Sequence, residues 1–312
     1  MLAKSNFKIA FVIPYFGPFP SYFRYFLETC YKNEFIDFLI FTDNKMPAIN
    51  SANVRVYSMT MNEFSELASS KCEFPIHIKN GYKLCDFKPS YGHLFEDYIK
   101  SYDYWGFCDV DLILGDLSKV LTDDYISSWD IISAHDKYLS GPFSLFRNNY
   151  AINRLYLKSK DIKRVFTSDK VMLFDEASNV IHHLWAGNDI FDFESEVESM
   201  THVLKNHRKC PFKVDFSGFI TEFFPGELLW NDGILTDDKG AEHAMYHFMW
   251  YKGNFGFGVA KFKNNLAFSF SEGGFHYNNF STKYLVRYEA FLKNFIVRGY
   301  KKSLKLALNK AK

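Results

Sequence analysis

The chain has no Gly-x-Gly-x-x-Gly and no Walker sequence after its first apolar run. These are the backbone cradles with which dinucleotide-binding and P-loop enzymes hold phosphate, so neither class is expected. Cys-x-x-Cys spacing is also missing. The five cysteines, Cys30, Cys72, Cys85, Cys108 and Cys210, are scattered and odd in number, which argues for buried free thiols in a reducing compartment. No apolar run approaches the roughly 20 residues of a membrane span, and the run that opens the sequence is too short and too soon broken by Pro14 for a secretion signal. A cytoplasmic location is the expectation. An excess of one charge sign is lacking too. At a net charge of +1 the field of the whole molecule argues neither for nor against polyanionic partners, and local patches matter more; the partner expectation includes no nucleic acid. Internal repeats and low-complexity linkers are absent.

What is present is apolar and aromatic. With 312 residues, 47% hydrophobic and 19% aromatic, the chain can build one large domain with ample core, and its many Phe and Tyr side chains can line a cleft as well. Residues 7–13 read as a buried strand, which Pro14-Tyr15-Phe16-Gly17-Pro18 ends in a loop. Ser21 is expected to cap a helix running to about Lys32, with Phe23, Phe26, Leu27 and Cys30 on one face. Residues 35–41 form the next apolar strand, closed by Thr42-Asp43-Asn44. This succession suggests a parallel βαβ unit whose ligands lie beyond the carboxyl ends of the strands. Pro14 to Gly17 and Asp43 fall on that edge. Asp43 has two readings, an acceptor for a ribose hydroxyl or base N–H, or a cap for its own turn.

Further strands are expected at 54–59, 129–133 and 143–147, the last ending Arg147-Asn148. Helices are expected at 61–69 and from Ser90 to about Tyr102, and hairpins over 212–220 and 222–235. The segment 169–204 has poor periodicity and is read as loops and helices over the cleft. Lys83, Asp86 and Lys88 cluster just ahead of the second helix. Lys83 and Lys88 could meet a diphosphate and a sugar hydroxyl, or form a surface ion cluster.

The most informative stretch is Tyr104-Trp105-Gly106-Phe107-Cys108-Asp109-Val110-Asp111. Two carboxylates one residue apart, at the end of an aromatic strand-like run, project to one side. Paired hard oxygens of this kind suit Mg²⁺ or Mn²⁺, which take their remaining ligands from substrate phosphates and water. The implied partner is a metal-bound phosphorylated substrate. His182 and His183, adjacent on a helix, point apart and are not a ligand pair. His243 and His247 at i, i+4 would share a helix face, without the intervening Glu of a zinc protease.

Taken in order, these motifs resemble a nucleotide-sugar-dependent glycosyltransferase of the GT-A type. They are the N-terminal βαβ unit, the Lys/Asp/Lys cluster, Phe-Cys-Asp-Val-Asp, the Gly-Pro-Phe-Ser-Leu-Phe-Arg-Asn strand and the late Tyr-His-Phe-x-x-x-Lys. The resemblance covers about residues 7–255. It implies a Rossmann-like mixed, mostly parallel sheet flanked by helices, over residues 1–280. It also implies a donor nucleoside-diphosphate sugar and Mn²⁺ or Mg²⁺ bound by Asp109, Asp111 and His247. Lys252 would grip phosphate, Lys83 and Asp86 would lie near the donor sugar, and Pro14, Tyr15 and Asp43 around the nucleoside. Asp175 or Glu176 matches the base of inverting members, although the pair also suits a helix start. A nucleotidyltransferase on the same kind of sheet and a non-catalytic sugar-binding module are the competing readings.

Residues 281–312 read as a helical C-terminal extension. From Lys283 onward there are nine Lys or Arg and a single Glu, and Leu292, Ile296, Tyr300, Leu304 and Leu308 recur every four residues. Such a basic amphipathic helix lies on an anionic membrane surface or packs on its own domain. In the first case the expected acceptor is lipid-linked, as in assembly of bacterial surface polysaccharide or lipopolysaccharide at the inner membrane face.

Overall fold

The computed structural model describes residues 6–49, 51–224, 226–263 and 267–277. The basic C-terminal helix expected over 281–312 lies outside the described residues. The chain divides into two compact units. One comprises the described residues of Met1–Pro20, Asn33–Val110 and Leu117–Ile220, the other those of Ser21–Lys32, Asp111–Asp116 and Thr221–Lys312. The chain passes from one to the other inside the Asp109-Val110-Asp111 sequence.

The first unit is mixed α/β, built on a mostly parallel sheet flanked by helices. Its strands are β1 (Ile9–Pro14), β2 (Ile36–Thr42), β3 (Val54–Ser58), β4 (Tyr104–Cys108), β5 (Ile131–Ser133), β6 (Phe143–Arg147) and β7 (Val214–Asp215). They lie in the order β3-β2-β1-β4-β6-β5-β7. β1 runs parallel to β2, with Ile9 opposite Ile36, and to β4, with Ile9 opposite Tyr104. β6 is antiparallel to both its neighbours, with Cys108 of β4 opposite Phe143. All residues of β1 and β4 are buried; strands covered on both faces read as continuous apolar runs, which is why these two stood out in sequence. β7 corrects the hairpin expected over 212–220, since it adds to β5 in parallel, Ile131 opposite Val214.

The helix Met61–Cys72 starts at a capping box in which Thr60 and Glu63 satisfy each other's backbone N–H groups. The single helix expected from Ser90 to Tyr102 is instead two short pieces, Tyr91–Leu94 and Glu96–Ile99, broken at Phe95, and a 3₁₀ helix Gly81–Ser90 precedes them. Two packing demands fall on this stretch. Lys83, Asp86 and Lys88 are all buried, and each must reach a polar partner. Gly92 lies against the Trp105 indole, where an added Cβ would come within 2.3 Å of the ring.

The second unit is mostly antiparallel and rich in aromatic contacts; among its described strands Gly258–Val259 pairs in parallel with Gly274–His276. Leu112–Leu114 pairs with Met245–His247, placing Leu112 opposite His247; His247 therefore sits on a strand, not on the helix face expected from the i, i+4 histidines. A five-stranded sheet runs Ile234–Asp237, Leu228–Asn231, Phe268–Ser271, Gly274–His276, Gly258–Val259. Asp232 and Gly233, at φ 50° and 90°, make the tight turn of its first hairpin. The helix Phe23–Tyr31 belongs to this unit although it links β1 to β2. Its N-cap is Tyr22, with no side-chain cap, rather than Ser21. Tyr25 anchors it, ring to ring with Phe275 at 4.4 Å and Phe268 at 4.8 Å, while its hydroxyl donates to the Ala260 carbonyl. Among the described residues no helix is long and apolar enough to cross a membrane.

Candidate functional site

In the first unit a buried ammonium gathers three oxygens. Lys88 Nζ lies 2.8 Å from Asp109 Oδ1 and 3.3 Å from Asp175 Oδ2, and donates to the Gly141 carbonyl at 2.8 Å. Asp109 follows the last residue of β4, its N–H bonded to the Pro142 carbonyl, so the antiparallel pairing of β4 with β6 holds it. Burial alone would discharge Lys88, but Asp109, Cys85 and Asp175 more than offset this and raise its pKa well above the usual lysine range. Burial raises the Asp175 carboxyl well above the usual range; Lys88 opposes, while Glu176, Asp86 and Asp109 add to the rise. Its Oδ1 is buried with no hydrogen-bond partner among the described residues. A buried carboxyl with one unpartnered oxygen and a raised pKa is suited to taking up a proton.

The surroundings of Asp175 are constrained on three sides. A Cβ on Gly141 would lie 2.7 Å from Asp175 Oδ2 and 2.8 Å from Glu176 Oε1, so glycine gives both carboxyls their room. Leu173 and Ser178, at φ 51° and 56°, bracket the pair with left-handed backbone, a conformation that costs energy in a non-glycine residue and clusters at functional sites. The Lys83–Asp86 pair holds the approach. Its members are 2.7 Å apart and fully buried; Asp86 accepts from the Met172 and Phe174 N–H groups, and Lys83 donates to the Lys170 carbonyl. Both expected donor-sugar residues thus fix the segment that delivers Asp175.

At the carboxyl ends of β1 and β2, Asp43 Oδ1 accepts from the Gly17 N–H at 3.2 Å, the turn-holding reading of this residue. Tyr15 stacks on Phe19 with centroids 5.1 Å apart, and its N–H bonds to the Phe41 carbonyl. Pro14 closes β1.

In the second unit, Asp111 is buried, and its Oδ2 faces an ammonium and an imidazole nitrogen. Lys252 Nζ lies 2.5 Å away and His247 Nε2 3.5 Å away. Burial would raise the Asp111 pKa, yet His247 and Lys252 outweigh it and hold the carboxyl well below the usual range. On its other side the imidazole Nδ1 is 2.5 Å from Glu222 Oε1. A carboxylate behind Nδ1 keeps the proton on that nitrogen, so that Nε2 can give up its own and bind a metal, the usual support for a metal-bound histidine. The Asp111 oxygen and His247 nitrogen are therefore a chemically fitting pair of ligands for a divalent cation. Lys252 also lines a cavity of about 290 Å³ with Ser21, Tyr22, Asn254, Phe255 and Phe257.

Sequence reasoning missed Glu222 and Gly141. Glu222 sits in an unpatterned Thr-Glu-Phe-Phe stretch that carries no signal, whereas Gly141, in Gly-Pro just ahead of a strand, reads as an ordinary turn.

A family model covers residues 11–253 of the chain. The chain belongs to a family of unknown function (DUF6625). The DUF6625 span contains every residue of both clusters. No curated protein matches the chain. Among solved structures it is similar to the galactosyltransferase LgtC in complex with donor and acceptor sugar analogues, at 13% identity and a TM-score of 0.31, over 51% of this chain and 64% of that one. It is also similar to an active-site mutant of LgtC, at 14% identity and a TM-score of 0.30, over 48% and 62%. The DUF6625 chain thus spans somewhat less than two thirds of the length of these neighbours.

Proposed function

We propose that this chain is a metal-dependent glycosyltransferase that moves a sugar from a nucleoside-diphosphate sugar to a glycan or lipid-linked acceptor. The observation that carries the reading is the Glu222–His247–Asp111 series, a supported imidazole facing a deeply ionised carboxylate. Asp111 and His247, with Asp109 two residues earlier in the chain, are the proposed ligands. Mn²⁺ is favoured over Mg²⁺ because imidazole suits it better. A divalent cation at such a site would neutralise charge developing on a departing diphosphate.

The chain's own groups supply the rest. Lys252 adds a positive charge for the diphosphate, and Pro14, Tyr15 and Asp43 take the nucleoside. Lys88 keeps the Asp109 carboxylate aligned, and Lys83 and Asp86 fix the segment ahead of Asp175. In the inverting form of the reaction, the acceptor oxygen bonds to the anomeric carbon as the carbon–oxygen bond to the diphosphate breaks. The acceptor's proton then passes to Asp175, whose unpartnered Oδ1 supports it over Glu176 as the base. The proposed setting is the cytoplasmic face of a bacterial membrane, where residues 281–312 would carry the protein to anionic lipid during surface-polysaccharide or lipopolysaccharide synthesis.

Release of free sugar from a panel of nucleoside-diphosphate sugars, with Mn²⁺ and with chelator, tests the reading. Metal-dependent release from at least one donor, abolished in Asp111→Ala, is expected. Nucleotide exchange with pyrophosphate and no sugar release would instead identify a nucleotidyltransferase, and binding of sugar nucleotides without turnover a non-catalytic module.

A further inference from the structure

Beside the proposed metal shell the second unit exposes two aromatic rings in contact with each other. Phe223 and Trp250 keep 55% and 42% of their surface in solvent, with ring centroids 4.7 Å apart and planes tilted by 33°. Each is tied by the chain to a residue of the Asp111 cluster. Phe223 follows Glu222, the support of His247. Trp250 stands on the short helix Met249–Lys252, whose last residue meets Asp111.

Phe223 is held at φ 54°, a left-handed conformation that a bulky side chain adopts only when its surroundings impose it. Burial cannot be the compensation, because more than half of the residue is exposed. Shielding the Glu222–His247 pair would not require both rings to keep open surface either.

We infer that Phe223 and Trp250 form a stacking platform for a sugar ring of the acceptor. This rests on the glycosyltransferase reading and extends it to a saccharide acceptor held in the second unit. A pyranose presents a face of C–H groups that packs on an aromatic face, while its hydroxyls stay hydrated; a partly exposed ring pair offers that combination. Among the described residues Met249 is the exposed apolar neighbour of Trp250 in the chain, and a patch of three side chains is far smaller than the roughly 800 Å² per partner of a stable protein interface. A nucleobase would also stack, and the mononucleotide probe below separates it from a saccharide.

The test follows the indole N–H resonance of Trp250 in the whole protein, assigned by its loss in Trp250→Phe, with lactose, maltose, cellobiose or uridine monophosphate as probes. Saturable movement with at least one disaccharide and none with the mononucleotide is expected, with affinity about 3- to 10-fold weaker in Phe223→Ala. Both side chains are exposed, so the variants should melt with the parent. No response to any of the three disaccharides, or an equal response to the mononucleotide, overturns the platform. Stabilisation by Mn²⁺ and uridine diphosphate, read on the same samples, separates the two ideas. If it persists without a saccharide response, the platform alone fails; if it is absent while the saccharide binds, the glycosyltransferase reading fails and the platform stands as a sugar site.

Discussion

Glu222 Oε1 and His247 Nδ1 lie 2.5 Å apart although 25 residues separate them in the chain. The carboxylate orients the imidazole, the kind of support that strengthens a histidine ligand. Glu222→Gln keeps the shape and loses the charge, so Mn²⁺ affinity should fall by about 10- to 100-fold, with little change in thermal stability without metal. Calorimetric titration of the metal into both proteins checks this. Equal affinities would make the pair purely structural.

Lys88 holds two carboxylates and a carbonyl in the interior of the first unit. Lys88→Met keeps an apolar stem of similar length but removes the ammonium, which lies over the Phe107 ring, and leaves the buried Asp175 and the partly exposed Asp109 without their cation. Unfolding in urea should show a loss below the roughly 3–5 kcal/mol of a fully buried pair, because Asp109 is partly exposed, and adding Asp175→Asn, which removes the buried carboxyl, should restore part of it.

Gly141→Ala places a methyl group within 2.7 Å of Asp175 and 2.8 Å of Glu176. The fold should lose about 1–3 kcal/mol from overpacking. Turnover should fall more steeply than the donor KM rises, by about 100-fold if Asp175 moves by an ångström. Steady-state kinetics of the two proteins separates these effects.

His93 is buried, its Nδ1 2.8 Å from the Tyr156 hydroxyl, and burial lowers its pKa from 6.5 to about 4. Because the native pKa is depressed, the unfolded chain binds more protons between these values. This contribution to stability is complete above pH 6.5 and is lost as pH falls towards 4. Denaturation curves across that window should flatten in His93→Gln relative to the parent; parallel curves would contradict it.

Much of the first unit was legible because its strands are contiguous apolar runs. β1, β2, β4 and β6 each appear where an uninterrupted buried stretch ends in a polar or proline turn. The Asp109–Asp111 doublet was legible for the same reason, as carboxylates directly after such a run. Less legible was anything decided by distant pairing. His247 looks helical from its spacing to His243, but the ladder with Leu112 makes it a strand residue. Glu222 acquires meaning only from His247, and Gly141 only from Asp175. The helix Phe23–Tyr31 was correctly placed between two strands, yet its packing against Phe268 and Phe275 of the second unit depends on residues some 250 positions away and left no local signal.

Asp111 and His247 are proposed to hold a divalent cation that in turn holds a nucleoside diphosphate. Thermal unfolding with Mn²⁺ alone, uridine or guanosine diphosphate alone, and each pair together tests it most directly. The account predicts a rise in Tm that requires metal and nucleotide together and disappears in Asp111→Asn. Stabilisation by nucleotide that is indifferent to metal, or that survives the loss of Asp111, would contradict it.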